Sequence, residues 1–539
     1  MMMLPISRAC LFCLCLSSAC AAGEAVFVDS GRAADVRTSG SSWKETSEGL
    51  RGTGTGNTLL AGQRLGAGDF SVSMALTITD LAESAATIVV NQSHFGFEGQ
   101  GGEMFTEGAL FGRQNLGRPV VKEGAAVYAT VTRRSNQLTV GINGRALVQV
   151  TIDPGTVVDV GLRPWRSTML VTGFKATGNL VAAPEPLPQV TVFQSGAGGA
   201  HTYRIPAIVV TNKGTLLAFC EGRRSGRGDA GDIDMLVSRS SDKGKTWSEP
   251  TVVWDDAGNT CGNPAPVVDR DTGTIWLPMT WNLGTDHERE IMAGKSKFPR
   301  HVYMTHSDDD GKTWAKPVRI SETTRKEHWR WYATGPGNSI QLTRGPHKGR
   351  LVVPANHSDH TNESQHPYRS HVVYSDDHGK TWQLGAIHED RTNESAVVEL
   401  SDGGVLQAMR SYHGKGLRAM AVSRDGGESF GTLYLDKALN TPVCQANILR
   451  YSFPDADGRE AKSRILFCSP RGGGRSDLHV WMSYDEGKTW PVIRQIYEGG
   501  SAYSNLVRLP DGRIGVLYEK DGYKTISFVT FDLAWLEGK

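Results

Sequence analysis

Between residues 25 and 180 the chain alternates apolar and polar positions in short runs, among them FSVSMALTI (Phe70–Ile78), ATIVV (Ala86–Val90), AVYATVT (Ala126–Thr132) and LTVGI (Leu138–Ile142). Period-two alternation turns one face of each run toward a core and the other toward water, which is the signature of a strand. Turns rich in Gly and Asn, such as Asn143–Ala146, separate the runs. The pattern predicts an all-β N-terminal domain over residues 23–180, built as a β-sandwich. A linker over residues 181–189 follows, kept extended by Pro184, Pro186 and Pro188.

Beyond residue 190 strand-like runs return as DMLVSR, HVYMTH, HVVY, AMAV and LHVWM, and each leads into a near-copy of one eight-residue box. The copies are SSDKGKTW from Ser240, SDDDGKTW from Ser307, SDDHGKTW from Ser375, SYDEGKTW from Ser483 and a worn SRDGGESF from Ser423. A box between two strands reads as a hairpin turn. Its Asp accepts from backbone N–H groups, its Gly takes a conformation other residues resist, and its Thr and Trp begin the return strand. The Trp then has a large apolar face to bury between neighbouring units. Successive boxes start 67, 68, 48 and 60 residues apart, too far for a short solenoid and suited to four-stranded units with variable loops. Residues 190–539 then divide into six units of about 58 residues each, one without a legible box, and the expected fold is a six-bladed β-propeller.

Composition narrows the class without naming the chemistry. The 539 residues carry 58 basic and 57 acidic side chains and are 39% hydrophobic, the balance of a globular protein with several cores. A near-neutral total argues against nucleic acid as a partner. Residues 1–22 hold one basic residue, Arg8, then an apolar run from Ala9 to Leu16, then small residues, which is the layout of a signal peptide. Cleavage after Ala21 or Ala22 fits the small-residue pattern, while Leu16–Cys20 also resembles a lipoprotein signal. The expectation is export, with a secreted or periplasmic product or one lipid-anchored at the cell surface. No later stretch is apolar for long enough to make a transmembrane span. Cys220, Cys261, Cys444 and Cys468 lie outside the leader, each in or beside an apolar run, so buried thiols are expected in place of disulfides.

The residues that break the repeat carry the chemistry. HTYRIPAIVV sets Arg204 directly before Ile-Pro, and together with the boxes this resembles the exo-α-sialidases (neuraminidases) over about residues 190–537. The resemblance implies a substrate, sialic acid, whose anomeric carbon bears a carboxylate, and arginines whose planar forks hold it. Arg204, Arg410 in LQAMRSY and Arg475 in GGGRSDLHVWM match the family's three, with Arg471 a rival for the last. Arg223 in CEGRR matches a further arginine lining the site, and Asp229 in RRSGRGDAGDIDM matches the acid/base, with Asp232 and Asp234 as alternatives. Tyr503 in SAYSNLVRLPDG matches the nucleophile and Glu394 in TNESAVVEL its base. A tyrosine that is neutral until its proton leaves avoids the repulsion a carboxylate would meet at a carbon already bearing one. Glu519 in GVLYEKDG resembles the residue that orients the first arginine. Asn263 in CGNPAPVVD, Gln445 in VCQAN and the Thr-Gly-Pro-Gly loop of WYATGPGNSIQL are further binding candidates.

The implied activity is hydrolysis of terminal sialic acids from sialylated glycans (glycoproteins, mucins, gangliosides) with retention, through a scheme that calls for no cofactor and no metal. A non-catalytic glycan-binding propeller and a trans- or anhydro-sialidase are the open alternatives. The N-terminal domain resembles the lectin-like sandwiches of such enzymes, which implies either carbohydrate binding or a spacer. Phe95, Phe97 and Trp165 are its candidate stacking aromatics.

Overall fold

A computed structural model describes residues 23–538 apart from 40–41, 55–56, 82–84, 100, 109, 184, 360–365, 455–461 and 472–473. The leader assigned to residues 1–22 lies outside the described residues. Two compact units divide between residues 184 and 185. Both are built of strands, and no helix among the described residues is long and apolar enough to cross a membrane.

In the first unit the alternation of the sequence becomes the alternation of burial. Along strand Gln63–Ile78, Phe70, Val72, Met74, Leu76 and Ile78 are each 2% exposed or less, while the residues between them face outward. That strand pairs with Ala126–Arg134 on one side and Thr168–Ala182 on the other within a nine-stranded sheet. A seven-stranded sheet contributes Ile88, Val90, Phe95 and Leu162 to the same core. Phe95 and Phe97 are fully buried there, meeting edge to face at 5.7 Å, which removes them as candidate stacking aromatics. Their apolar area is worth more inside the core than at a solvent face. Trp165 is half-buried, with the Arg163 guanidinium 4.6 Å above its ring.

The second unit is a set of sheets, antiparallel except where Ile233–Ser240 meets Thr260–Gly262 in parallel, taken up in chain order. Thr202–Val210, Leu216–Arg223 and Ile233–Ser240 pair successively, and Thr392–Glu399, Val405–Ser411, Leu417–Ser423 and Tyr434–Asn440 form a four-stranded sheet. The long strand Val492–Arg508 serves two partners, pairing Ser476–Ser483 with its first half and Ile514–Lys520 with its second. The unit's first strand, Gln189–Gln194, pairs with Thr525–Phe531 near its end, so one sheet joins the two ends of the unit. Cys220, Cys261, Cys444 and Cys468 are buried free thiols, as their apolar settings require.

The boxes are the turns the sequence predicts, and each is closed by the same bonds. In the second copy Ser307 Oγ donates to Asp309 and accepts from Gly311 N–H, while Asp309 accepts from the N–H groups of Lys312 and Thr313 and from the Thr313 hydroxyl. The box tryptophans pack on aromatics of another sheet or strand, Trp247 on Phe528, Trp314 on Phe219 and Trp382 on Trp276. The fourth box position, which varies most in sequence, is left-handed in all five copies, with φ from +60° to +69°. This aims its side chain at a turn between strands elsewhere in the unit. Lys243 meets Asp511 at 3.3 Å, Asp310 accepts from Thr211 and Thr215, His378 Nδ1 meets Asp269 at 2.8 Å, and Glu486 accepts from the N–H and hydroxyl of Ser401. In the worn copy the position is Gly426, where a Cβ would come within 2.9 Å of His347 and 3.0 Å of Arg350. The variable letter of the box is therefore matched, copy by copy, to a different neighbour.

Candidate active site

Three strands bring the site together, and each carries one extra residue where it does so. Arg204 pairs with Glu221 and Ala207 with Phe219, three steps on one strand against two on the other. The same mismatch separates Thr392 from Ser395 and Ser501 from Ser504. Such β-bulges re-aim side chains that regular alternation would send elsewhere, and here they contain Ile205-Pro206, Asn393-Glu394 and Ala502-Tyr503. The Arg-Ile-Pro element follows from this. Ile205 sits at φ +61°, a region β-branched residues resist, and Pro206 brings no N–H to a place where the ladder is interrupted. Glu519 offsets the strain by accepting the Ile205 N–H at 2.9 Å.

Glu519 ties two of these strands together. Only 1% exposed, it accepts from Arg204 Nε at 3.0 Å and Nη2 at 3.3 Å, and from Tyr503 N–H at 3.1 Å. Removing it would leave Arg204 Nε and Nη2 and two backbone donors without their acceptor.

Tyr503 is where the predicted residues converge. Its hydroxyl donates to Glu394 Oε1 at 2.5 Å and accepts from Arg410 Nη1 at 3.1 Å, while Arg410 Nη1 also meets Glu394 Oε2 at 2.7 Å. The guanidinium carbons of Arg204 and Arg475 each lie 5.3 Å from the centre of its ring. Burial pushes the Tyr503 hydroxyl well above the usual tyrosine range, and the Glu394 charge adds to this while Arg410 opposes it. Tyr503 therefore rests neutral, bonded to the carboxylate that can take its proton. Arg475, not Arg471, is the arginine brought to this ring, and the bond recorded for Arg471 is from its backbone N–H to Asp477.

Asp229 stands apart in character. Its side chain is 67% exposed, yet it meets Arg223 Nη1 at 2.7 Å and Arg204 Nη1 at 3.5 Å. Partial burial works to raise its pKa, but the charges of Arg223 and then Arg204 outweigh that and hold it below the usual carboxylate range. Asp232 and Asp234 have other surroundings, with the Asp232 carbonyl accepting from Arg224 N–H and Asp234 paired with the Arg224 guanidinium.

Asn263 and Gln445 are held more tightly than gripping residues need be. Asn263 N–H donates to Glu221, and its Oδ1 accepts from Arg300 and Thr280. The Gln445 amide bonds the backbone of Pro336 and both sides of Ser504, fixing the chain next to Tyr503. The Thr-Gly-Pro-Gly loop packs beneath, where a Cβ on Gly337 would meet the amides of Asn447, Asn505 and Gln445 at 3.3 Å.

Sequence reasoning missed Glu221, Tyr523 and Arg300. Glu221 bonds Arg223 through Nε and Nη2, and a strand's period of two, which puts residues 221 and 223 on one face, is the signal that could have found it. Tyr523 lies 4.3 Å from the Arg204 guanidinium, and its hydroxyl accepts from Arg475 Nη1 at 2.8 Å. It sits in the hairpin turn after Glu519, where no local pattern marks it.

Comparison with known proteins gives this arrangement its class. The family model described as "BNR repeat-like domain" matches residues 214–516. A sialidase of Micromonospora viridifaciens is 36% identical over 70% of this chain and 59% of its own, so this chain spans less than two thirds of that relative. An exo-alpha-sialidase of Aspergillus fumigatus is 33% identical over 63% of this chain and 86% of its own. Among solved structures, the Hadza microbial sialidase Hz136 is similar at TM-score 0.58 and 25% identity, covering 88% of this chain and 96% of that one. The intramolecular trans-sialidase from Ruminococcus gnavus, at TM-score 0.54 and 21% identity over 64% of this chain and 97% of that one, shares the fold. The family model and these likenesses define the class, a BNR-repeat domain of the sialidase kind. The chain belongs to the BNR-repeat sialidases.

Proposed function

We propose that the protein is an exo-α-sialidase that removes terminal sialic acid from glycans with net retention. The observation that carries this reading is the convergence on Tyr503, with its hydroxyl 2.5 Å from Glu394 and all three expected arginines around it. Arg204, Arg410 and Arg475 hold the substrate carboxylate. Among the described residues Arg475 makes no ion pair, so the cluster has positive charge in reserve for an anion.

The Tyr503 oxygen attacks the anomeric carbon as its proton passes to Glu394, and the bond to the departing glycan oxygen breaks. Asp229 protonates that oxygen, then takes a proton from the water that cleaves the sialyl-tyrosine, while Glu394 returns its proton to the departing Tyr503 oxygen. Asp229 is ionised when no ligand is bound, because it lies on Arg223 and Arg204. An incoming carboxylate competes for Arg204, the longer of the two contacts, and brings a negative charge. Both changes raise the Asp229 pKa and prepare it to act as the acid. Asn263, Gln445 and Glu519 position the binding surface.

The frame we infer is a six-bladed propeller, supported by the paired ends of the unit and by the boxes reaching from sheet to sheet. An experimental map with another number of sheets around the axis would revise that count. Export, inferred from residues 1–22, predicts a shorter mature N-terminus on the protein recovered from cells.

The test of function is release of free sialic acid from 3'- and 6'-sialyllactose by the purified protein between pH 5 and 8. Free sialic acid as product supports hydrolysis, and an anhydro or transferred sugar moves the protein to the trans-sialidase alternative. A folded protein that binds sialosides and turns none over would be a glycan-binding propeller.

A further inference from the structure

The three arginines assigned to the substrate carboxylate are not anchored alike. Glu519 accepts from Arg204 Nε at 3.0 Å and Glu394 meets Arg410 Nη1 at 2.7 Å, so each of these guanidiniums faces a fixed carboxylate. Arg475 has no such partner among the described residues. Its recorded side-chain contacts are the Tyr523 hydroxyl, which accepts from Nη1 at 2.8 Å, and the Tyr503 ring, whose centre lies 5.3 Å from the guanidinium carbon. Arg475 is also exposed, and an exposed arginine that nothing holds samples many rotamers and loses that freedom on binding.

Tyr523 is itself placed with unusual firmness. Asp521, Gly522 and Tyr523 take φ of +52°, +65° and +71° in succession. Left-handed backbone is costly for a bulky side chain and persists where the surroundings over-determine it. They do so here from two sides. Asp521 N–H donates to the Gly500 carbonyl at 2.7 Å, on the strand that carries Tyr503, and the Tyr497 hydroxyl donates to Asp521 Oδ1. Ser195 Oγ donates to the Tyr523 carbonyl at 2.7 Å and accepts from the N–H of Tyr203, the neighbour of Arg204. The Tyr523 ring then lies 4.3 Å from the Arg204 guanidinium and packs against the cluster of Ile205, Cys444, Ala502 and Tyr503. Its hydroxyl is thereby fixed relative to both Arg204 and Tyr503.

Resting on the exo-sialidase reading above, we propose that Tyr523 is the positioning residue of the third arginine. It holds the Arg475 guanidinium in place for the substrate carboxylate and leaves the whole charge of that guanidinium to the carboxylate. A phenol hydroxyl is an uncharged acceptor at neutral pH, whereas an Asp or Glu in its place would orient Arg475 and neutralise it together. With Arg204 and Arg410 already matched by Glu519 and Glu394, Arg475 is the clamp's source of unmatched positive charge.

The test is steady-state kinetics on 3'-sialyllactose for the full chain, Tyr523→Phe, Arg475→Met, the double variant and Tyr523→Glu, with melting temperatures alongside. Tyr523→Phe keeps the ring on Arg204 and removes the acceptor alone. It is expected to raise KM about 3- to 30-fold with kcat within about threefold and the melting temperature in place, because the carboxylate is held alike in the bound and transition states. In the Arg475→Met background the same change should cost less than about twofold further, since it acts through an arginine already gone. Tyr523→Glu should raise KM beyond Tyr523→Phe. Losses that multiply in the double variant, or a fall in kcat at constant KM, would overturn the assignment and make Tyr523 part of the scaffold only. Tyr523→Glu with the KM of the parent would overturn it as well, by showing that the free charge of Arg475 has no part in binding. Failure of the unmodified chain to cleave any sialoside would instead defeat the exo-sialidase reading itself, and this proposal with it.

Discussion

The boxes and the site are built from the same kinds of residue put to opposite use. In a box the aspartate is saturated by its own turn. Asp309 accepts from two N–H groups and a hydroxyl of Lys312 and Thr313, and those bonds hold its carboxyl far below the usual range. In the site Asp229 is largely exposed and leans on two arginines, Arg223 and Arg204, the second of which we propose a ligand carboxylate takes from it. Arginines divide in the same way: Arg350 is closed off by Asp376 and Glu428, while Arg475 and Arg300 have no ion pair among the described residues. Repetition marks groups whose bonding is complete, and incomplete bonding in unrepeated positions marks where a ligand belongs.

The sharpest break in that comparison is expected from Tyr503→Phe, which should cost roughly 10³-fold or more in kcat on sialyllactose. The melting temperature should stay close to that of the parent, because the boxes are untouched. Asp229→Ala should cost on the order of 10²- to 10⁴-fold on natural glycans and much less on aryl sialosides, whose leaving group needs little protonation. Retention within about twofold on both substrates would remove Asp229 from the acid role.

A box residue should show the converse. Glu486 accepts from Ser401, Ser463 and Arg450, and despite partial burial these bonds hold its pKa at about 2. A carboxylate depressed in the folded state stabilises above its unfolded value of about 4.3, and that contribution fades as pH falls toward about 2. Glu486→Gln should therefore lower stability by about 1–3 kcal/mol at pH 7 with kcat unchanged, and the difference should vanish near pH 2 in denaturant titrations. Smaller again is the effect on pH profiles. The basic limb of kcat should lie at higher pH than that of kcat/KM, since bound carboxylate raises Asp229 above its free-protein value. Coincident limbs would show that Asp229 keeps its arginine contacts in the complex.

Much of the frame was legible because its signals are local. Period-two alternation gave the strands, and five near-copies gave the hairpin turns. Paired strands bring Glu394 beside Arg410 and Tyr503 beside Glu519, each pair sixteen residues apart, as the spacing suggests. The burial of Phe95 and Phe97 was not legible, since an apolar residue in a strand does not announce which face it takes. Nor was the role of the bulges, because an extra residue shows only against a partner strand. Tyr523 and Arg300 reach the site from a hairpin turn and from the end of the loop before His301–Ser307, and such placement depends on tertiary packing that no local period records.

The measurement that tests the central claim most directly is covalent trapping with a fluorinated sialyl donor, followed by peptide mass spectrometry. The account predicts a single adduct, on the peptide containing Tyr503, absent from Tyr503→Phe and slowed in Glu394→Gln. An adduct on another residue, or one that persists in Tyr503→Phe, would contradict it.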